Sequence, residues 1–269
     1  MINFSRLFRI SGSVAALSLV ATAAYATSIV AIKTGDDIFI GTDSKMLIEK
    51  DVAVNQCKIT KMNDTYLVFS GIPALPASSF NAYAIAEKSF AGKGPVNMRL
   101  DAFDKAVQGE LQKAFEKLRT TDDKLFSRWY TDDVQTRVAL QLLVAGVEKK
   151  GTVLAMLEYR IISGKSEPVK LKAIKQNIVT KPGSDQPKIL FLGMQDAIND
   201  LMKKKDFFSD FDEVRNINEW INAEITAEPK LVGGPVDIIK ISPKKTVWIQ
   251  HKSECPEIDA PVVKPASKK

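Results

Sequence analysis

An apolar segment ending in Ala24-Tyr25-Ala26 stands directly before Thr27 and the β-rich run Ser28-Ile-Val-Ala-Ile-Lys33. The first 26 residues have the layout of a secretory signal peptide. Arg6 and Arg9 form a positive leading region with no acidic residue, and the apolar run Ser13–Ala23 follows. That run is well short of the ~20 residues a membrane-spanning helix needs. Removal after Ala26 leaves a domain whose first residue is threonine and whose first strand begins at once. A cut after Ala21-Thr22-Ala23, which would leave Ala24, Tyr25 and Ala26 in front of Thr27, is the competing outcome. Retention of the segment as an anchor is the third.

A free N-terminal threonine carries a nucleophile and a base on one residue. Its hydroxyl can attack a carbonyl, and its α-amine, with an unperturbed pKa of roughly 7.7–8, can take the proton. The processed chain would have 269 − 26 = 243 residues, enough for one large domain with a substantial core. Losing Arg6 and Arg9 lowers the formal charge from +6 to +4. Part of that surplus lies in Lys203-Lys204-Lys205 and in Lys264, Lys268 and Lys269, which read as solvated runs. No base-reading motif accompanies them, so nucleic acid is excluded as a partner. No other stretch has the length and apolarity of a membrane helix, so no membrane association is expected after cleavage. The expected location is the periplasm or the extracellular space.

Cys57 and Cys255 are the only cysteines, and export would place them where disulfides persist. A bridge between them would close a 255 − 57 = 198-residue loop, worth about 5 kcal/mol on the chain-entropy model. The spacing alone leaves the pairing open. His251 is the only histidine and reads as a strand-end surface residue. One histidine makes neither a His-rich metal site nor a Ser-His-Asp triad, and no metal or cofactor is expected.

Along the chain, Ser28–Lys33 and Ile38–Gly41 flank a Thr34-Gly35-Asp36-Asp37 turn and read as a hairpin. Thr65–Ser70 reads as a buried strand ended by Gly71. Ala77–Ala91 and Asn97–Arg119 read as helices, the second with Phe103, Val107, Leu111, Ala114, Phe115 and Leu118 at helical spacing. In the excursion 120–136, Phe126, Trp129 and Tyr130 either line a binding surface or cap the core. Val138–Val147 and Thr152–Tyr159 form a strand pair, followed by a polar strand region over 161–179 and a strand at Lys188–Leu192. Gln195–Lys205 and Glu213–Ile225 are helical, and Val236–Ile241 with Thr246–Gln250 closes the fold. The domain is expected to span 27–252, with a disordered Pro/Lys-rich tail over 253–269. The blocks of strands and helices are segregated, which suggests an α+β fold with sheets stacked between helical layers.

Four landmarks between Thr27 and Gly71 carry a specific likeness: Thr27-Ser-Ile-Val-Ala-Ile, Gly41-Thr-Asp43-Ser44, Lys58-Ile-Thr-Lys61 and Phe69-Ser-Gly71. In this order they resemble the proteasome β-subunit group of N-terminal nucleophile hydrolases. Asp43 follows Thr27 by 43 − 27 = 16 positions, as in that family, and the lysine arrives one position early. The likeness implies a four-layer αββα sandwich. It also implies Thr27 as nucleophile, Lys58 as a buried positive charge, Asp43 as its partner, and the Gly71 N–H as oxyanion donor. By the same analogy Phe69 lies near the first specificity pocket. The implied partner is a peptide or small amide substrate, and ring-forming relatives make a homo-oligomer the assembly to consider.

The chain also departs from the pattern. Ala26, not glycine, precedes the threonine, so a signal peptidase would make the cut. The serine expected before Gly233-Gly234 is Val232, the aspartate expected three residues earlier is Pro229, next to Glu228, and Leu192-Gly193-Met194 offers no clean serine-glycine match. Two readings follow: an exported threonine hydrolase, or a non-catalytic binding or structural protein that keeps the fold.

Overall fold

A computed structural model describes residues 27–49, 52–130, 137–180, 186–204 and 207–258. Residues 1–26, read from the sequence as a signal peptide, and residues 259–269 of the expected tail lie outside the described residues. The expected first hairpin is present. β1 (Ser28–Thr34) and β2 (Asp37–Thr42) pair with Thr34 opposite Asp37, and Gly35 takes φ +54 in the turn. A short ladder of β3 (Lys45–Glu49) and β4 (Val52–Asn55) follows, then β5 (Thr60–Met62) and β6 (Thr65–Gly71). The two-residue strands β7 (Ala74–Leu75) and β8 (Phe80–Asn81) bracket a 3-10 turn at Pro76–Ser78. Helices α1 (Ala82–Phe90), α2 (Val96–Thr121) and α3 (Asp123–Phe126) come next. The chain then forms β9 (Val138–Glu148), β10 (Gly151–Ile161), β11 (Leu171–Ile178) and β12 (Lys188–Gly193). Helices α4 (Asp196–Met202) and α5 (Glu213–Ala227) precede the closing hairpin of β13 (Asp237–Ile241) and β14 (Thr246–Gln250).

The fold is mixed α+β. One antiparallel five-stranded sheet has the order β12-β1-β2-β13-β14, and a second has the order β11-β10-β9-β6-β5. Alternation along the strands explains why their sequences are apolar throughout. In β1, Ile29 and Ala31 join a core formed between the strands of the two sheets, while Val30 and Ile32 pack with α4 and α5. In β6, Tyr66 and Val68 face that shared core, while Leu67 and Phe69 pack with α1 and α2. Successive side chains of a strand point to opposite faces, so a strand buried on both faces has no polar side to show.

Helix α1 begins five residues later than the alanine-rich run suggests. Asn81 supplies its cap, the side-chain oxygen accepting from Ala84 N at 3.1 Å. The long α2 turns Leu100, Phe103, Val107, Leu111, Ala114, Phe115 and Leu118 into the core, as its periodicity predicts. Phe126 is fully buried, and Trp129 and Tyr130 pack on Phe115 and Phe126, so this trio caps the core rather than lining a surface. Among the described residues no helix is long and apolar enough to cross a membrane.

The chain beyond β14 departs from expectation. Residues 253–258, read from composition as the start of a disordered tail, are anchored at two points. Cys255 and Ile258 are buried, Ile258 within the core between the sheets, and Lys61 Nζ donates to the Ile258 carbonyl. Trp248 Nε1 donates to Pro256 O at 3.2 Å. A covalent tie and the buried Ile258 outweigh the Pro-rich composition here.

Candidate active site

The hairpin β1–β2 places Thr27 and Asp43 beside each other, because the strand that starts after Thr27 pairs with the strand that ends before Asp43. Gly41, in the same motif, has a packing role. A Cβ there would fall 2.1 Å from Ile217 Cγ2, so only glycine lets α5 lie this close to β2. Asp43 then meets four donors. Its Oδ1 accepts from Ser28 N at 3.0 Å and from Lys58 Nζ at 2.6 Å. Its Oδ2 accepts from Lys45 N at 3.1 Å and Gly233 N at 3.2 Å. A buried carboxylate with its acceptor sites filled is held in one orientation.

Lys58 completes the group. Its Nζ donates to Thr27 Oγ1 at 3.0 Å as well as to Asp43, and the three side chains are 7%, 2% and 0% exposed for Lys58, Thr27 and Asp43. Burial holds the Lys58 ammonium below the ordinary lysine range, Asp43 works against that shift, and Lys252 adds to it. Because the lysine donates, the Thr27 oxygen accepts. The hydroxyl proton is therefore left to point elsewhere, and a base that takes it leaves an alkoxide beside a cation.

The Thr27 backbone is fixed as firmly. Its carbonyl accepts from Met194 N at 2.8 Å, and Ser28 lies opposite Gly193 in the β1–β12 ladder. Thus Leu192-Gly193-Met194, which offered no clean match by sequence, lies directly against Thr27. Gly193 N donates to Gln141 Oε1 at 2.9 Å, and Gln141 Nε2 donates to Glu158 Oε2 at 2.6 Å. Glu158 in turn pairs with Arg160. Ser70, Gln141 and Glu158 are cross-strand neighbours, so they form a buried polar row at the end of an otherwise apolar sheet face. Sequence reading missed this row. The available signal was a lone Gln in Ala139-Leu-Gln-Leu-Leu and a lone Glu in Met156-Leu-Glu-Tyr.

Gly71 ends β6 at φ +86, and a Cβ there would meet the Ala139 carbonyl oxygen at 2.6 Å. Phe69 is buried in the helix-side core, 4.7 Å from the Tyr83 ring and 6.1 Å from Phe103. Val232 is buried, and Lys45 Nζ donates to the Pro229 carbonyl at 2.6 Å, so both departures sit in the loop that carries Gly233.

Cys57 and Cys255 form a disulfide with Cα atoms 5.2 Å apart. The sulfurs and an Asp237 carboxylate oxygen lie within 4.8 Å of one another, but sulfurs bonded to each other offer a cation no thiolate. His251 is exposed just past β14, as expected. No family model matches the chain, and no curated protein matches it either.

Proposed function

We propose that this chain is an exported threonine-nucleophile amidohydrolase, a peptidase in the first instance, built as a four-layer αββα sandwich. The observation that carries the reading is Lys58 Nζ reaching both Thr27 Oγ1 and Asp43 Oδ1, at 3.0 and 2.6 Å. A buried lysine beside a hydroxyl at the start of the first strand has a clear chemical use. An ordinary surface lysine would not need a fully enclosed carboxylate to hold it.

In the processed protein the Thr27 α-amine takes the Oγ proton, directly or through water, and Oγ attacks the substrate carbonyl carbon. Lys58 stabilises the negative charge at Oγ before attack, and the Gly71 N–H is assigned to the carbonyl oxygen as it becomes an oxyanion. The C–N bond breaks as the leaving amine takes the proton from the α-ammonium, which leaves an ester on Thr27. Water, deprotonated by the same amine, cleaves the ester and returns the hydroxyl. The substrate is a peptide or small amide.

The test is the exported protein itself. N-terminal sequencing should begin at Thr27, and an epoxyketone-type probe should label that residue. Thr27→Ala should stay folded and lose hydrolysis; an active Thr27→Ala protein ends the proposal. A second reading, a non-catalytic binding or structural protein, is favoured by Val232 and Pro229 standing where the resemblance expects a serine and an aspartate. A mature chain beginning at Ala24 would favour it.

A further inference from the structure

A second buried lysine–aspartate pair lies behind the first. Lys252 Nζ is paired with Asp237 Oδ2, and Lys252 N donates to Asp237 Oδ1 at 3.0 Å. Both side chains are almost wholly enclosed. Lys252 Nζ also donates to Ser44 Oγ at 2.6 Å, and Ser44 Oγ reaches the Pro235 carbonyl and Asp237 Oδ2. Asp43 and Ser44 are consecutive. One residue of this turn therefore holds Lys58, the next holds Lys252, and their backbone is tied to Gly233 through Ser44 N and Lys45 N.

The disulfide joins the two lysines by chain. Cys57 precedes Lys58, Cys255 follows Lys252 by three residues, and Cys255 N donates to the Lys252 carbonyl at 3.1 Å. The bridge abuts the Asp237 carboxylate, within 4.8 Å. This is a costly arrangement for a segment beyond the last strand. Two buried charges and a covalent link hold in place a residue that an apolar side chain could replace if only packing were at stake.

We propose that Lys252, held by the Cys57–Cys255 bridge, is a positioning residue for the Thr27 centre: with Asp237 it fixes Ser44, and through Ser44 it seats Asp43 under Lys58. The inference rests on the Thr27 reading above for its functional consequence, but not for its physical one. Among the described residues, the charged groups acting on Lys58 include Asp43, Asp237 and Lys252; the two aspartates favour its charged form and Lys252 disfavours it. Removing Lys252 or Asp237 should therefore move the Lys58 titration in opposite directions, a response that a purely structural pair would not give.

The experiment uses the exported, disulfide-bonded protein with isotope-labelled lysine, following Lys58 by NMR through a pH titration, with acylation of Thr27 by a β-lactone probe, whose ring C–O bond opens as the ester forms, measured beside it. Lys252→Met is expected to raise the Lys58 midpoint and Asp237→Asn to lower it. Both should slow acylation tenfold or more, with Lys252→Arg recovering part of the rate. Identical Lys58 midpoints in the folded variants, or wild-type acylation in Lys252→Met, overturn the proposal. Where Lys252→Met does not fold, Lys252→Met/Asp237→Leu removes both charges. It should acylate at least tenfold more slowly, and a wild-type rate there likewise overturns the role. If wild-type Thr27 itself takes no probe, the hydrolase reading fails, while the opposite Lys58 shifts still decide whether Lys252 acts on the site.

Discussion

Gly193 and Thr27 touch along their backbones: a Cβ at position 193 would fall 1.8 Å from the Thr27 carbonyl oxygen. At φ +75, Gly193 turns the end of β12 so that Met194 N donates to that same oxygen. A left-handed residue and a close approach coincide at one position, and either alone would favour glycine. The contact fixes the residue on which the proposed chemistry depends.

Gly193→Ala should consequently cost at least ~3 kcal/mol, since backbone strain at a left-handed site adds to a clash with main-chain atoms that cannot swing away. Gly109→Ala is the control. Gly109 lies on the exposed side of α2, and nothing stands within 4 Å of its added Cβ. It should gain about 0.5–1 kcal/mol from helix propensity. Urea denaturation of both variants reads the difference, and equal midpoints would remove Gly193 from the frame around Thr27.

Asp43→Asn tests the carboxylate. The amide can still accept from Lys58 and Ser28 N, but its NH2 must then face the Lys45 and Gly233 N–H groups, donor against donor. Leaving Lys58 buried without an anion should cost about 3–5 kcal/mol in thermal or denaturant unfolding. Acylation of Thr27 should slow by about 10²-fold or more, the scale of losing one preorganised electrostatic contact. A variant with wild-type stability and rate would show that the pair is incidental.

Much of this was legible in the chain. Continuous apolar runs marked β1, β6, β9 and β10, because each is buried on both faces, and spacing marked α2. The Thr27, Asp43 and Lys58 positions could be named only because the landmarks that carry them resemble a known pattern; the β1–β2 hairpin accounts for Thr27 meeting Asp43, while Lys58 arrives from the loop between β4 and β5. The rest depends on contacts across long sequence separations. Gln141 reaches Gly193 over 52 positions and Lys252 reaches Ser44 over 208, and no local pattern encodes either. Composition misled at residues 253–258, where a disulfide and Ile258 fix a segment that looks like a tail. Asn81 was missed as a helix start because Pro76 before Ala77 suggested an earlier one, whereas Pro76–Ser78 forms a 3-10 turn.

Glu224 offers a stability prediction away from the site. It is fully buried on α5, and its Oε1 accepts from Ile198 N at 2.9 Å. Burial raises its pKa above the ordinary 4.5, and Asp196 and Glu228 push the same way, although the Ile198 and Ala197 N–H groups oppose them. The folded state thus holds this proton more tightly than the unfolded state does. Its contribution is complete below 4.5 and is lost as pH rises through the raised value. Glu224→Gln keeps the accepting oxygen and removes the titration. The gap between wild type and variant should shift toward the variant as pH rises from 4.5 to neutrality; parallel stability curves would reject the assignment.

Lys58 gives the opposite sign and a functional readout. Its pKa is lowered from 10.5, first by burial and then by Lys252, against the pull of Asp43 and Asp237. Between the lowered value and 10.5 the folded protein binds fewer protons than the unfolded chain, so this group makes stability rise with pH across that window. Over the same window the centre loses the cation that stabilises the Thr27 alkoxide. Acylation should therefore fall on an alkaline limb whose midpoint lies below 10.5, while resistance to urea does not fall with it. In Asp43→Asn the limb should move to still lower pH, because the largest influence keeping Lys58 charged is gone. A limb at the ordinary lysine value in both proteins would mean that Lys58 is not the group whose charge the reaction uses.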